Sequence, residues 1–504
     1  MPRPSSFASV EIETGERSQR VAPREPDSPF HIAVLGDFSG RENRGVLDAK
    51  LQGRKAVLID RDNFEDVIGR FAPELHLPLG GPDGPRIPVR FIGLDDFHPD
   101  RIFERLKIFQ ALRDTREKLN DRGTFEAAAS EVRSWSGAAS PPAAPAPQGP
   151  PPDISRLSAR ELLEQALSAT ESRTAAARPA RALDDFQAML REIVAPYVEP
   201  KPDPQKADLI AQVDAAISGQ MRALLHHPDF QALEAAWRGL FFLIRRLSTD
   251  ENLKVYMLDI AKPELAADMV ATYELLIEGA PRGEPWSVLA ANYTFDANSD
   301  DLQLLGRMAA VAHHAGAPFL AAASPRVLGC ESLAETPEPR KWRAGSAQNG
   351  ADAWAALRQL PQAGWLGLAL PRFLLRLPYG KQTESTELFA FEEFPESPRH
   401  EEYLWGNPAL ACAYLLGEAF SESGWEMRPG EICEISGLPA HIYKTDGESH
   451  LKPCGEALLG EQATDAILDR GLMPFISMKG SDAIRLVRFQ SLATPEADLS
   501  GRWI

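Results

Sequence analysis

The sequence predicts a mixed α/β protein built from more than one module. Three observations carry that expectation. Short apolar runs of strand length, such as Ile32 to Leu35 and "LKVYMLDI", are each bounded by glycine, proline or acidic residues. Between them lie stretches whose apolar residues recur with helical spacing. A charge-free run of seven prolines in "GAASPPAAPAPQGPPP", residues 137–152, can form neither helix nor sheet and must act as a spacer.

The chain has 504 residues, 44% of them hydrophobic and 25% charged, enough for more than one core. No apolar run reaches the length of a membrane span, and "MPRPSSFASVEIETG" lacks the order of charged and then apolar residues of a signal peptide, so a cytoplasmic protein without membrane insertion is expected. Cys330, Cys412, Cys433 and Cys454 are widely spread with no CxxC pair, which argues for reduced structural thiols. A formal net charge of -18 disfavours nucleic acid as a partner.

In residues 1–136, strands are expected at Val10 to Ile12, Ile32 to Leu35, Val57 to Ile59 and Ile87 to Ile92. "RDNFEDVIGRF" predicts a helix capped by Asp62 or Asn63, with Phe64, Val67, Ile68 and Phe71 on one face. "FHPDRIFERLKIFQALRDTREKL" predicts another, with Pro99 in its first turn. Residues 153–206 hold a helix opening on the capping-box pair Ser158 and Glu161, with Leu162, Leu163, Ala166 and Leu167 at helical spacing. A second proline-rich break, "PYVEPKPDPQK", closes this region. Residues 207–504 open with two helices meeting at "HHPDF". Four buried strands follow, "LKVYMLDI", "PWSVLAANYTF", "APFLAAAS" and "AGWLGLALP", with a helix "DLQLLGRMAAVAHHAG" between the second and third.

The motifs that could carry chemistry fail on detail. In "HIAVLGDFSGR", Gly40 is followed by Arg41 and Glu42 where a phosphate loop needs lysine and then serine or threonine. Gly380-Lys381 lacks the upstream glycine and the following hydroxyl. Adjacent histidines, His226-His227 and His313-His314, project about 100° apart on a helix and cannot share one ion. No GxSxG or HExxH pattern occurs. A non-enzymatic protein without cofactor, catalytic residue or metal is expected, and a nucleotide-dependent enzyme is the least favoured reading.

The order of several unusual strings resembles a known family. "PFHIAVLGDFSGR", "VLIDRDNFEDVI" and "VRFIGLDDFHPDRI" resemble the small subunit of the type VI secretion contractile sheath. "LLHHPDFQALEAAWRGLFFLI", "LDIAKPELAADM", "LGLALPRFLLRLPYG" and "YLWGNPALA" resemble its large subunit. The positions carrying that pattern are Gly36, Asp37 and Phe38, then Asp60, Asn63 and Phe64, then His226, His227 and Phe230, followed by Trp237, Arg238 and Gly239. Pro371, Arg372, Arg376, Pro378, Tyr379 and Gly380 continue it, and Trp405, Asn407 and Pro408 complete it.

The resemblance implies a sheath-subunit fold of two α/β modules, with the small-subunit-like domain at 1–136, a Pro/Ala-rich linker at 137–152, a helical recycling region at 153–206 and the large-subunit-like domain at 207–504. It implies a structural protein that assembles with other sheath subunits around an inner tube, meets a baseplate, contracts to deliver effectors and is recycled by a ring-shaped AAA+ unfoldase. Val10, Glu11 and Ile12 would form a strand donated to a neighbour, and Leu162, Leu163, Ala166 and Leu167 the face read by the unfoldase. Asn292 in "NYTF" stands where the family commonly has aspartate. The resemblance implies a further carboxy-terminal region after "LMPFISMKGSDAIRLVRFQSLATPEADLSGRWI", which this sequence does not show, so the alternative is an adaptor or terminator that joins the array without propagating it.

Overall fold

Strands β1 (Phe30–Gly36), β5 (Leu253–Asp259), β6 (Val288–Phe295), β7 (Phe319–Ala323), β8 (Leu366–Leu370) and β14 (Met473–Ser477) run parallel in one sheet of the computed structural model, which describes residues 28–51, 53–78, 84–136, 190, 206–342, 348–395, 398–445 and 447–503. Antiparallel strands close both edges. β2 (Val57–Ile59) pairs with β5 at one, while β15 (Ile484–Leu486) and β11 (Glu434–Ile435) follow β14 at the other, giving the order β11-β15-β14-β8-β7-β6-β1-β5-β2. The parallel strands are apolar along nearly their whole length because helices cover both faces. The fold is therefore mixed α/β, as the strand and helix patterns predict.

Position in the sheet does not follow position in the chain. β1 lies between β5 and β6, with Ile32 opposite Val255 on one side and Val288 on the other. Successive residues of β1 serve opposite faces. Ala33 and Leu35 enter the core that includes Leu302, Leu305 and Met308 of a helix over Ser299–Ala315. On the other face, Ile32 meets Gly417 in the helix Pro408–Ser423, which lies against β1, β6, β7 and β8.

The chain divides into two compact units: one holds the described residues of Met1–Val67, Leu233–Leu377 and Tyr403–Ile504, the other those of Ile68–Ala232 and Pro378–Glu402. The first contains the sheet. In it the chain also forms two small pairs, β9 (Phe373–Leu374) with β10 (Trp405–Gly406), and the hairpin β12 (Ile442–Thr445) with β13 (Glu448–Leu451).

The second unit contains the hairpin of β3 (Glu74–Pro78) and β4 (Arg86–Arg90) and the helices α3 (Pro99–Arg105), α4 (Lys107–Asn120), α5 (Phe125–Ser136) and α6 (Lys206–Leu225). The single helix expected from Pro99 is interrupted at Leu106, whose ψ of 126° is extended rather than helical. Phe91 stacks on Phe97 at 4.1 Å, with Phe230 edge-on to both. Val10, Glu11, Ile12, Leu162, Leu163, Ala166 and Leu167 lie outside the described residues.

Candidate functional site at the joint of the two sequence segments

The loop after β1 is a turn with a defined task. Gly40 has a φ of 71°, the left-handed region that glycine adopts without strain. Asp37 then accepts hydrogen bonds at 2.9 Å from the amides of Arg41 and Glu42, filling donors that open the short helix α1 (Arg41–Arg44). Gly36 precedes this turn at the end of β1, beside Asn292 of β6.

Phe38 points into an aromatic nest. Its ring lies edge-on to Trp237 at 5.3 Å, and its carbonyl accepts the Trp237 indole N–H at 2.8 Å. Phe64 meets the same indole at 5.8 Å and Phe241 at 5.1 Å. Phe64 opens the helix α2 (Phe64–Phe71), and the preceding turn is held by the Asp60 carboxylate accepting from the amides of Asp62 and Asn63. The Asn63 carbonyl oxygen of the side chain returns the favour to the Asp60 amide at 3.1 Å. Trp237 lies in the helix α7 (Pro228–Arg246) and is fully buried, so aromatic residues from both sequence segments share one core.

A charged network sits where β1 and β5 end. Asp259 accepts from the amides of Phe38 at 2.8 Å and Ser39 at 3.1 Å, and pairs with the guanidinium of Arg41. Glu264 receives Arg54 at 2.6 and 2.8 Å, Arg41 at 3.2 Å, and the amides of Asp48 and Ala261 at 2.8 Å each. Arg41 and Arg54 also donate to the Asp259 carbonyl at 2.6 and 2.5 Å. Both acids belong to the third sequence segment and both arginines to the first. Burial alone would raise the Glu264 carboxyl, but the bonds from Arg54, the two amides and Arg41 outweigh it and hold it down to about 2. The Arg41 guanidinium is lowered by burial and raised more strongly by Asp259 and Glu264, so the pair stays charged. Tyr293 completes the wall: burial, then the nearby Asp37, Asp259 and Glu264 charges, push its phenol well up, and it remains a neutral donor to the Ile260 carbonyl at 2.5 Å.

The remaining positions of the pattern serve as packing and anchoring points. In the first unit, buried Glu234 accepts from Arg238 at 2.7 Å and Arg376 at 2.9 Å. A Cβ at Gly239 would stand 2.4 Å from the Leu410 Cδ1 methyl, so a larger residue there would have to displace that side chain. Arg372, next to Pro371, donates to Glu456, and its guanidinium lies 6.0 Å from the Trp405 ring centre. Asn407 caps the helix begun by Pro408, accepting from the Ala409 amide at 2.9 Å and donating to the Tyr293 carbonyl at 3.0 Å.

In the second unit, His226 reaches Glu393 at 3.3 Å and Glu402 at 3.6 Å. Glu393 also accepts the Tyr379 amide at 2.7 Å, next to Pro378, and the Gly380 amide donates to the Glu384 carbonyl at 2.8 Å. His227 instead caps a helix start, its ring accepting from the Asp229 amide at 3.3 Å. The two histidines of the pair thus have separate partners. Among the described residues no three His, Cys, Asp or Glu side chains converge as a metal cage requires.

Arg54, Asp259 and Glu264 were not singled out by the sequence pattern, and Arg41 entered only as the residue that breaks a phosphate-loop motif. The one local signal is an acid closing a buried strand in "YMLDI", since a carboxylate in that setting needs donors.

Buried anchors from the first and third sequence segments thus form one joint at the end of β1 and β5. The chain belongs to the type VI secretion tail sheath family: residues 207–493 match the family model described as EvpB/VC_A0108, tail sheath N-terminal domain. Residues 13–127 match a second, described as Type VI secretion system, VipA, VC_A0107 or Hcp2. A curated relative, the type VI secretion system sheath protein TssC1 of Pseudomonas aeruginosa, is 36% identical over 304 residues, covering 57% of this chain and 61% of the relative. The chain thus spans less than two thirds of that relative's length. It is a sheath-family structural protein whose small- and large-subunit-like regions are fused. Among the described residues no helix is long and apolar enough to cross a membrane.

Proposed function

We propose that this chain is a subunit of a contractile sheath that assembles around an inner tube and shortens to drive effector delivery. The observation that supports this reading is the placement of β1 between β5 and β6. The small- and large-subunit-like segments share one sheet, so each chain brings both to an array as a repeating unit. Work would come from switching that array between two packings, a task that needs stiff blocks and no reactive centre.

On this reading the strand at Val10, Glu11 and Ile12 adds to a neighbour's sheet, the baseplate starts the array, and Leu162, Leu163, Ala166 and Leu167 are the face that a ring-shaped AAA+ unfoldase grips. The small-subunit-like, linker, recycling and large-subunit-like regions divide along the chain at 136, 152 and 206, and the protein works in the cytoplasm without nucleotide or metal of its own. Electron microscopy of the purified chain with the cognate tube protein tests the reading. Hollow helical arrays enclosing tubes are expected. A chain that binds only the ends of arrays made by another sheath protein would instead be an adaptor, and one that neither assembles nor binds sheath or tube would overturn both. Replacing Leu163 and Leu167 with Asp should abolish retention by the unfoldase and leave assembly intact.

A further inference from the structure

The hairpin of β12 and β13 is two-faced. On one side Tyr443 stacks on His441 at 5.8 Å and on His450 at 5.6 Å, and His441 shares a 2.7 Å hydrogen bond with the Tyr403 hydroxyl. That side is anchored. On the other, Ile442 and Leu451 are directly paired across the strands yet 63% and 37% exposed. Ring stacking explains how the ribbon is held but not why it carries two facing aliphatic side chains outward, since an isolated pair of strands gains most of its stability from a covered face.

We infer that the Ile442–Leu451 face is a contact between two copies of this chain in the assembled array. Three observations favour a second copy as the occupant. On the sheath reading each chain meets further copies of itself, and an array that grows by repetition needs heterologous contacts, with different patches meeting. The chain carries a net charge of -18, so copies repel one another except where the local charge is low. Residues 441–452, "HIYKTDGESHLK", hold Lys444 and Lys452 against Asp446 and Glu448 and sum to zero. Finally, β12 and β13 form ladder pairs only with each other among the described residues, so the ribbon joins no larger sheet and is of the kind a neighbouring chain's strand can extend.

The inference rests on the sheath reading, and one experiment separates their failures. Full-length wild type and the double variant Ile442→Lys, Leu451→Glu, whose opposite charges still suit a cross-strand pair, are compared by sedimentation and electron microscopy. The variant should keep the wild-type melting temperature and need a protein concentration on the order of tenfold higher, or more, to assemble. Wild type that never assembles overturns the sheath reading and this inference with it. Assembly of the variant at the wild-type concentration overturns the inference alone. A photo-crosslinking residue at position 442 in otherwise native protein covers the case of a misfolded variant: adducts joining two chains are expected, and adducts confined within one chain, to another protein, or absent from assembled material reject the contact.

Discussion

The joint at the end of β1 and the hairpin of β12 and β13 use opposite chemistry. At the joint, four charged side chains are withdrawn from water and each carboxylate oxygen of Glu264 has donors from both arginines and from one amide. At the hairpin, two aliphatic side chains are left in water. A buried ion cluster adds little net stability over an apolar core of the same shape, but it tolerates the loss of no member. An exposed apolar pair contributes little until something covers it. The joint is therefore finished within the chain, and the hairpin holds its binding energy for a partner.

The largest effect expected is at the joint. Glu264→Ala leaves Arg41 and Arg54 facing each other without the acid that satisfies both, and should lower the unfolding free energy by about 3–5 kcal/mol. Chemical denaturation of the unassembled protein measures this. A loss under about 1 kcal/mol would mean the arginines find water, and the joint would be no more closed than the hairpin.

Acid gives the next effect. The Glu264 carboxyl lies at about 2 in the folded chain against an ordinary 4.5. As pH falls the unfolded chain takes up that proton first, so the stability tied to this group is fully present above about 4.5, declines between 4.5 and 2, and is gone below. The shift corresponds to about 3 kcal/mol. Denaturation midpoints measured from neutral pH down to pH 3 should fall more steeply in wild type than in Glu264→Gln, which has no proton to gain at that site.

How much of this was legible in the sequence follows from the same physics. β1, β5, β6, β7 and β8 were readable because strands buried on both faces are continuous apolar runs, and the turn after Gly36 because glycine and aspartate announce it. β3 was missed: "ELHLP" is short and ends in proline, so it lacks the signature of a central strand, and it survives in a two-stranded hairpin. The break at Leu106 was invisible because Ile102, Leu106 and Phe109 keep helical spacing across it. Periodicity assigns each strand its faces and says nothing about neighbours, so the seating of β1 between β5 and β6 could not be read. For the same reason neither could Arg54 and Glu264, 210 residues apart and bonded. The pattern did mark Phe38, Phe64 and Trp237, and the structure brings those three together.

A smaller effect is expected within the joint's aromatic part. Trp237→Phe keeps a ring against Phe38 and Phe64 but removes the N–H that the Phe38 carbonyl accepts, leaving a buried acceptor unfilled at a cost of about 1–3 kcal/mol. The thermal midpoint should fall, and the indole fluorescence change on unfolding should shrink with it. A neutral result would show that water reaches this carbonyl, which would weaken the contrast between a sealed joint and an open hairpin.

The smallest effect belongs to the hairpin. Ile442→Thr preserves a β-branched side chain and hence the strand's local preference, while deleting apolar surface that is 63% exposed in the single chain. Nothing described covers that surface, so the unfolding free energy of the unassembled protein should change by no more than about 0.5 kcal/mol. The same substitution in the buried strand β1, Ile32→Thr, replaces an ethyl group with a hydroxyl where no water reaches, and should cost several times more, about 2–3 kcal/mol. The ratio between these two identical exchanges measures the difference between the regions directly, because side-chain volume and strand propensity change alike in both. If Ile442→Thr costs as much as Ile32→Thr, the outward face is already covered by the chain's own residues, and the surface assigned to a neighbouring copy is part of the fold.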